Sequence, residues 1–346
     1  MKINGISIMA ALAALCLCIV SCKKDKDEDT VSYSSFRGDL SFEIPSYVHK
    51  GDVYELVPGG DIRRAADDEN EGAYGLVWTV DLRSASDTVR FEGEDASAND
   101  GSMIFSVPDT LCNITLTLKA FADGYASTSV SRTIMVIDPA EENGSLTGRT
   151  FPAGVKSFKD ARDGENYRYV RIGDRDWMAE NLEWDGAGNS FDNAPVMDAL
   201  LGRFYTWEEA QNACPAGWRL PDGDDWIALA AEVTGKTYTD KMAVLEGLSG
   251  AMMLPEAYIN EFRMWEYQPK FDVDNRTGLA VLPAGYSTVK EDDWAFFGFT
   301  KYALFWTADA FDADNGCYRQ IHADQSGVSA GYAGKEYFGA SVRCVR

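Results

Sequence analysis

Between Val31 and about Pro139 apolar residues recur in short runs, and many of these runs alternate apolar with polar positions. Phe42 with Ile44 form one; Val53, Tyr54 and Leu56 the next; then come Leu76, Trp78, Val80 and Leu82. Ile104, Phe105 and Val107, then Ile114, Leu116 and Leu118, and last Val130, Ile134 and Val136 complete the series. A period of two puts alternate side chains on one face of a strand, so each run reads as a half-buried strand. Turn formers at Pro58-Gly59-Gly60 and Asp123-Gly124-Tyr125 separate them. Six or seven such strands predict a β-sandwich, with Trp78 plugging its core.

The period changes between Gly202 and Trp226, GRFYTWEEAQNACPAGWRLPDGDDW. Glu208, Glu209, Ala210, Gln211 and Ala213 favour helix, Pro215 and Gly217 break it at Cys214, and Pro221 with Asp222 open a second helix. There Trp226, Leu229, Ala230 and Val233 fall on one apolar face, which predicts a packed core. Asp222 is placed to cap the free N–H groups, and Asp225 suits the positive helix end. The chain therefore divides into an all-β sandwich of immunoglobulin-like kind at 33–139, a linker at 140–148 and an α+β domain at 149–346. Eight of the nine tryptophans lie in the last segment, which predicts a heavy aromatic core of a different kind. It opens with a strand in which Tyr167, Tyr169 and Arg171 alternate with Val170 and Ile172, then a turn at Gly173-Asp174, then Trp177-Met178 entering the core.

The amino terminus changes the picture of where the protein resides. Lys2 precedes an almost wholly apolar run from Ile6 to Val20 that is too short to cross a bilayer, and it ends at Ile19-Val20-Ser21-Cys22. Residues 1–22 resemble a bacterial lipoprotein signal, which implies acylation of Cys22 and a stable lipid anchor. Residues 23–32 form a charged, mostly acidic tether, similar to the surface-export signal of Bacteroidetes lipoproteins; that implies the outer face of the outer membrane, the alternative being a plain spacer facing the periplasm. With 55 acidic against 32 basic residues the net charge is -23, which disfavours nucleic acid and anionic lipid as partners. Membrane attachment is expected through the lipid alone.

The blocks RIGDRDWMAENL, GRFYTWEEAQNACPAGWRLPDGDDW, GLAVLPAGY (Gly278 to Tyr286), LFWTA (Leu304 to Ala308) and ASVRCVR (Ala340 to Arg346) come in order over the C-terminal segment. They resemble the Fibrobacter succinogenes major paralogous domain, known as FISUMP. The run YTWEEAQNAC followed by RLP is also similar to C-type lectin-like domains and to formylglycine-generating-enzyme-like proteins. That likeness implies two helices packed around an irregular antiparallel sheet. Four cysteines remain beyond Cys22, namely Cys112, Cys214, Cys317 and Cys344, and spacing alone leaves three pairings open. The lectin-like resemblance implies a Cys214–Cys344 disulfide. Cys112 and Cys317 then pair across domains or stay as buried thiols, and the second is the expectation.

Candidate chemistry is sparse. FDVDNRTG and FDADNGC place Asp272, Asp274, Asp312 and Asp314 where hard oxygens could meet calcium, yet neither fits an EF-hand loop and Asx turns explain them equally well. Gln268-Pro269-Lys270 lacks the carboxylate of a sugar-binding calcium triplet, so no metal or other cofactor is expected. Only His49 and His322 occur, which leaves Ser-His or Cys-His catalysis without support, and nothing singles out a carboxylate pair for glycoside hydrolysis. For binding, Trp294, Phe296, Phe297 and Phe299 crowd around Gly298, with Trp265 and Tyr267 on a nearby loop, an aromatic surface suited to sugars or peptide side chains; the competing reading places these rings in the core. The expectation is a non-enzymatic, lipid-anchored protein that binds a glycan, peptide or protein. The alternatives are an accessory subunit of a surface assembly, such as a nutrient importer or fimbria-like structure, and a hydrolase.

Overall fold

The computed structural model describes residues 33–64, 74–82, 85–91, 100–140, 144–266, 271–291 and 293–346, so the signal, Cys22 and the tether lie outside the described residues. The described chain is mostly β, arranged in open sheets.

In the N-terminal part, a five-stranded sheet runs in the order Tyr47–His49, Thr128–Ile137, Asn113–Phe121, Gly75–Leu82, Ala85–Phe91. Its first pairing is parallel and the others are antiparallel. The alternation in Asn113–Phe121 turns Ile114, Leu116, Leu118 and Ala120 inward, and the pair Val53–Leu56 with Met103–Ser106 adds Leu56, Met103 and Phe105 to the same core. Ile104, counted with the apolar run, points outward and is 66% exposed. Trp78 is fully buried edge-on to Phe42, and its indole N–H donates to the Gly101 carbonyl at 2.8 Å, so the core plug also satisfies its polar atom.

The expected linker is part of the fold from residue 144 onward. Leu146–Thr147 pairs with Tyr258–Ile259, and the Asp138 N–H donates to the Ser145 hydroxyl. Ile137 enters one apolar cluster with Leu146, Ala257 and Ile259, while the ring of Tyr47 meets Phe191 at 5.8 Å. Asn260 Nδ2 donates to the Val136 carbonyl at 2.8 Å. The two parts therefore share a packed seam, and burial followed by the nearby Asp192 charge pushes the Tyr47 hydroxyl up to about 12. The sequence reading marks 140–148 as a linker; apolar Leu146 and the ladder beside it make its second half part of the seam.

In the C-terminal part the hairpin strands Lys156–Lys159, Asn166–Ile172 and Arg175–Met178 form one antiparallel sheet. The main sheet runs Asp293–Phe297, Tyr286–Lys290, Phe338–Ser341, Tyr302–Ala310, Asn315–His322, Ser329–Gly334, with Phe204–Tyr205 joined to Phe338–Ser341. Two helices pack on it, Trp207–Ala213 and Gly223–Thr234, and each begins with a capping box, Thr206 with Glu209 and Asp222 with Asp225. Thr206→Ala is expected to cost about 1 kcal/mol in urea unfolding, because the Glu209 N–H loses its acceptor. Trp226, Leu229 and Ala230 are buried as their spacing predicts, with Val233 packed at the margin. The carboxyl-terminal residues lie between Trp177 and Arg219, each of which bridges Val345, and a Cys214–Cys344 disulfide holds them there. Cys317 is a half-buried thiol, and Cys112 lies half-buried at the margin of the N-terminal core.

Candidate functional site

Alternation along the main sheet decides which of the expected aromatic residues are presented. Along Asp293–Phe297, Trp294 and Phe296 face the interior cluster, and Phe297 faces the other way. Phe296 packs on Phe204 at 5.3 Å and on Phe191 at 5.4 Å, and Phe299 packs on Phe191 at 4.8 Å. Trp294 covers Gly339, where a Cβ would come within 2.6 Å of its ring. Trp265 is 2% exposed, and its indole N–H donates to the Val281 carbonyl. These four are core or core-margin residues and do not form one open surface. Tyr267 and the Gln268-Pro269-Lys270 triplet lie outside the described residues.

Phe297 belongs instead to a ladder of rings on the other sheet face, whose members Tyr286, Phe338 and Tyr318 pack at the margin of a second core cluster with Leu304 and Trp306. It sits opposite Tyr286 at 5.8 Å, Tyr286 lies 5.3 Å from Phe338, and Phe338 lies 5.7 Å from Tyr318, with interplanar angles of 30°, 15° and 16°. Such offset stacking is the favoured geometry of aromatic pairs. Phe297 is 46% exposed and the other three are half-buried. Trp306 forms the floor, fully buried and edge-on to Phe338 and Tyr318. Gly331 makes room at one end, because a Cβ there would lie 2.5 Å from the Tyr318 ring. Polar positions border the rings on the same face: Thr288 and Lys290 beside Tyr286, Gln320 and Ser329 beyond Tyr318. Tyr302, 6.3 Å from Tyr286, packs against His322 at 4.7 Å with the rings tilted by 56°, and the His322 Nδ1 meets the Asp324 carboxylate. The helix Trp207–Ala213 covers only one end of this face, with Trp207 lying over Gly316.

On the opposite face Phe311 and Tyr332 stack at 3.9 Å, 48% and 52% exposed. The Asp-rich loops serve as turns. Asp312 accepts from the Asp314 N–H and from both the backbone and side-chain N–H groups of Asn315, and Asp274 accepts from Arg276. Asp272 and Asp314 are exposed, and among the described residues no group of three acidic, histidine or cysteine side chains is arranged to hold a metal.

The sequence reading missed Tyr286, Tyr318 and Phe338. Each is a single aromatic residue in its own strand, and only strand order brings them together. The available signal was Gly331, a small residue in a strand that faces Tyr318.

The comparisons place the domain that carries this face. The Fibrobacter succinogenes major domain matches residues 170–346, and the chain belongs to that family. Among solved structures, the chain is similar to the Yersinia pseudotuberculosis adhesin InvE at a TM-score of 0.24 and 9% identity, covering 90% of this chain and 71% of that one. No curated protein matches. Among the described residues no helix is long and apolar enough to cross a membrane.

Proposed function

We propose that this is a non-catalytic binding protein displayed on the outer face of the outer membrane. In this reading Cys22 carries the lipid, residues 23–32 act as the tether, an immunoglobulin-like sandwich acts as the spacer, and a C-type-lectin-like head of the FISUMP family, as found in Bacteroidetes, meets a glycan or peptide. The observation that supports it most is the half-exposed ladder Phe297, Tyr286, Phe338 and Tyr318 with its polar border. Stacked rings flanked by hydrogen-bonding groups suit the apolar faces of sugars and extended peptide side chains. Calcium has no part in this reading, since the Asp312 and Asp274 carboxylates are already committed to their own turns. A hydrolytic reading has less support. Of the three carboxylates that line one cleft, Glu180 is paired with Arg149 and Arg168, and Asp198 is held by Arg203 and the Ser190 hydroxyl, which leaves Glu183 without a second free acid.

A second reading, an accessory subunit of a surface assembly, is favoured by the strand Ser329–Gly334. Among the described residues its outer edge has no ladder partner, and it contains neither lysine nor proline to blunt pairing. Glycan and peptide arrays, run with calcium and again with chelator, separate the two. The expected result is saturable binding that chelator leaves unchanged. Loss with chelator would return the Asp loops to the site, and silence on both arrays would favour the assembly subunit.

A further inference from the structure

Away from the ring ladder, a cavity of about 30 Å³ lies where four of the family blocks converge. Its wall includes Glu180 and Asn181 from the first block with Glu183 just beyond it, Gly202 from the second, Leu282 from the third, Arg343 from the last, and Arg149. Arg343 is 3% exposed. Its guanidinium donates to Asn181 Oδ1 at 2.7 Å and to the Leu279 carbonyl, and lies over the Phe305 ring, so its partners are all neutral. Burial, followed by the Arg149 charge, pushes it down to about 9. A guanidinium withdrawn from water without a counter-charge is costly, and an anion is what relieves it.

The acids of the cavity do not supply that charge. Glu180 already meets Arg149 and Arg168, and Asp198 meets Arg203. Burial, with Glu165 and Asp198 nearby, pushes Glu183 up to about 7, so it is substantially protonated at neutral pH. A cavity of this size holds one small group and no more. We propose that it binds a single small monovalent anion, a halide or a carboxylate as small as formate, held by Arg343 with Arg149 at the same wall. The proposal does not depend on the ring ladder or on its ligand.

The test uses the purified protein at constant ionic strength, with chloride, bromide or formate exchanged for gluconate, which is too large to enter. The melting temperature is expected to rise saturably with each small anion and not with gluconate. A crystal soaked in bromide is expected to show one anomalous peak within hydrogen-bonding distance of the Arg343 guanidinium. Arg149→Gln, which leaves Arg168 on Glu180, is expected to weaken the apparent affinity at least tenfold, and Arg343→Gln to abolish it. Should Arg343→Gln fail to fold, the bromide peak and Arg149→Gln still decide. Response to halides alone identifies a halide site, and response to formate as well identifies a carboxylate subsite; both support the proposal. No peak beside Arg343, or a melting temperature that rises equally in gluconate, overturns it.

Discussion

Replacing Cys344 with serine, or reducing its bond to Cys214, is expected to lower the unfolding free energy by about 5 kcal/mol. The bridge spans 130 residues, and in the chain-entropy account a loop of that length adds a large constraint to the unfolded chain. It also has a local task. The residues around Cys344 form isolated ladder contacts, with the Met178 N–H donating to the Cys344 carbonyl and Val345 exchanging two bonds with Arg219. Without the bridge this terminal segment is held by short-range ladder bonds such as these and by the Arg343 and Arg346 side chains, with no covalent tie to the helix Trp207–Ala213. Urea unfolding with and without reductant measures the effect. A change below about 1 kcal/mol would mean that the unfolded chain is already restricted near these residues.

Asp225→Ala is expected to cost about 2–3 kcal/mol, from the lost helix cap and the lost charge-assisted bonds to Arg219 and Arg175, whose guanidinium groups are partly solvated. Asp225 is 1% exposed and meets Arg219 and Arg175, and it accepts the Asp222 N–H in the capping box. Burial works to raise its carboxyl, but the Arg219 hydrogen bond and the Asp222 N–H outweigh it and hold the group below the usual carboxylate range. A lowered folded value means that its contribution is present above the unfolded pKa, near 3.8, and is lost as pH falls through the folded value. Stability of the wild-type chain is therefore expected to fall more steeply with acid below about pH 4 than that of Asp225→Ala. Parallel acid-dependent slopes in the two proteins would remove Asp225 from this role.

The elements that the sequence made legible are those set by neighbours along the chain. The N-terminal strands follow their period of two around Trp78, and the helix face Trp226, Leu229 and Ala230 follows its period of 3.6. Asp222 reads as a cap because the cap is a local bond, but the pairing of Asp225 with Arg175 reaches across 50 residues and leaves no local mark. The binding face behaves the same way. Crowding around Gly298 drew attention to Trp294, Phe296 and Phe299, whose rings fill the interior because a strand turns alternate residues to opposite faces. Phe297 alone of that run reached the other face, where its hairpin partner supplies Tyr286 and two strands further along the chain supply Phe338 and Tyr318.

One comparison tests the binding face most directly, because Trp294 and Phe297 lie on one strand and point to opposite sides. Affinity for an array-selected ligand would be measured by calorimetry on Phe297→Ala, Tyr318→Ala and Trp294→Ala, with melting temperatures recorded alongside. Losses of at least tenfold, about 1.4 kcal/mol, are expected for Phe297→Ala and Tyr318→Ala, with affinity retained by folded Trp294→Ala. Affinity unchanged in the first two and lost in Trp294→Ala would contradict the assignment of the ring ladder as the site.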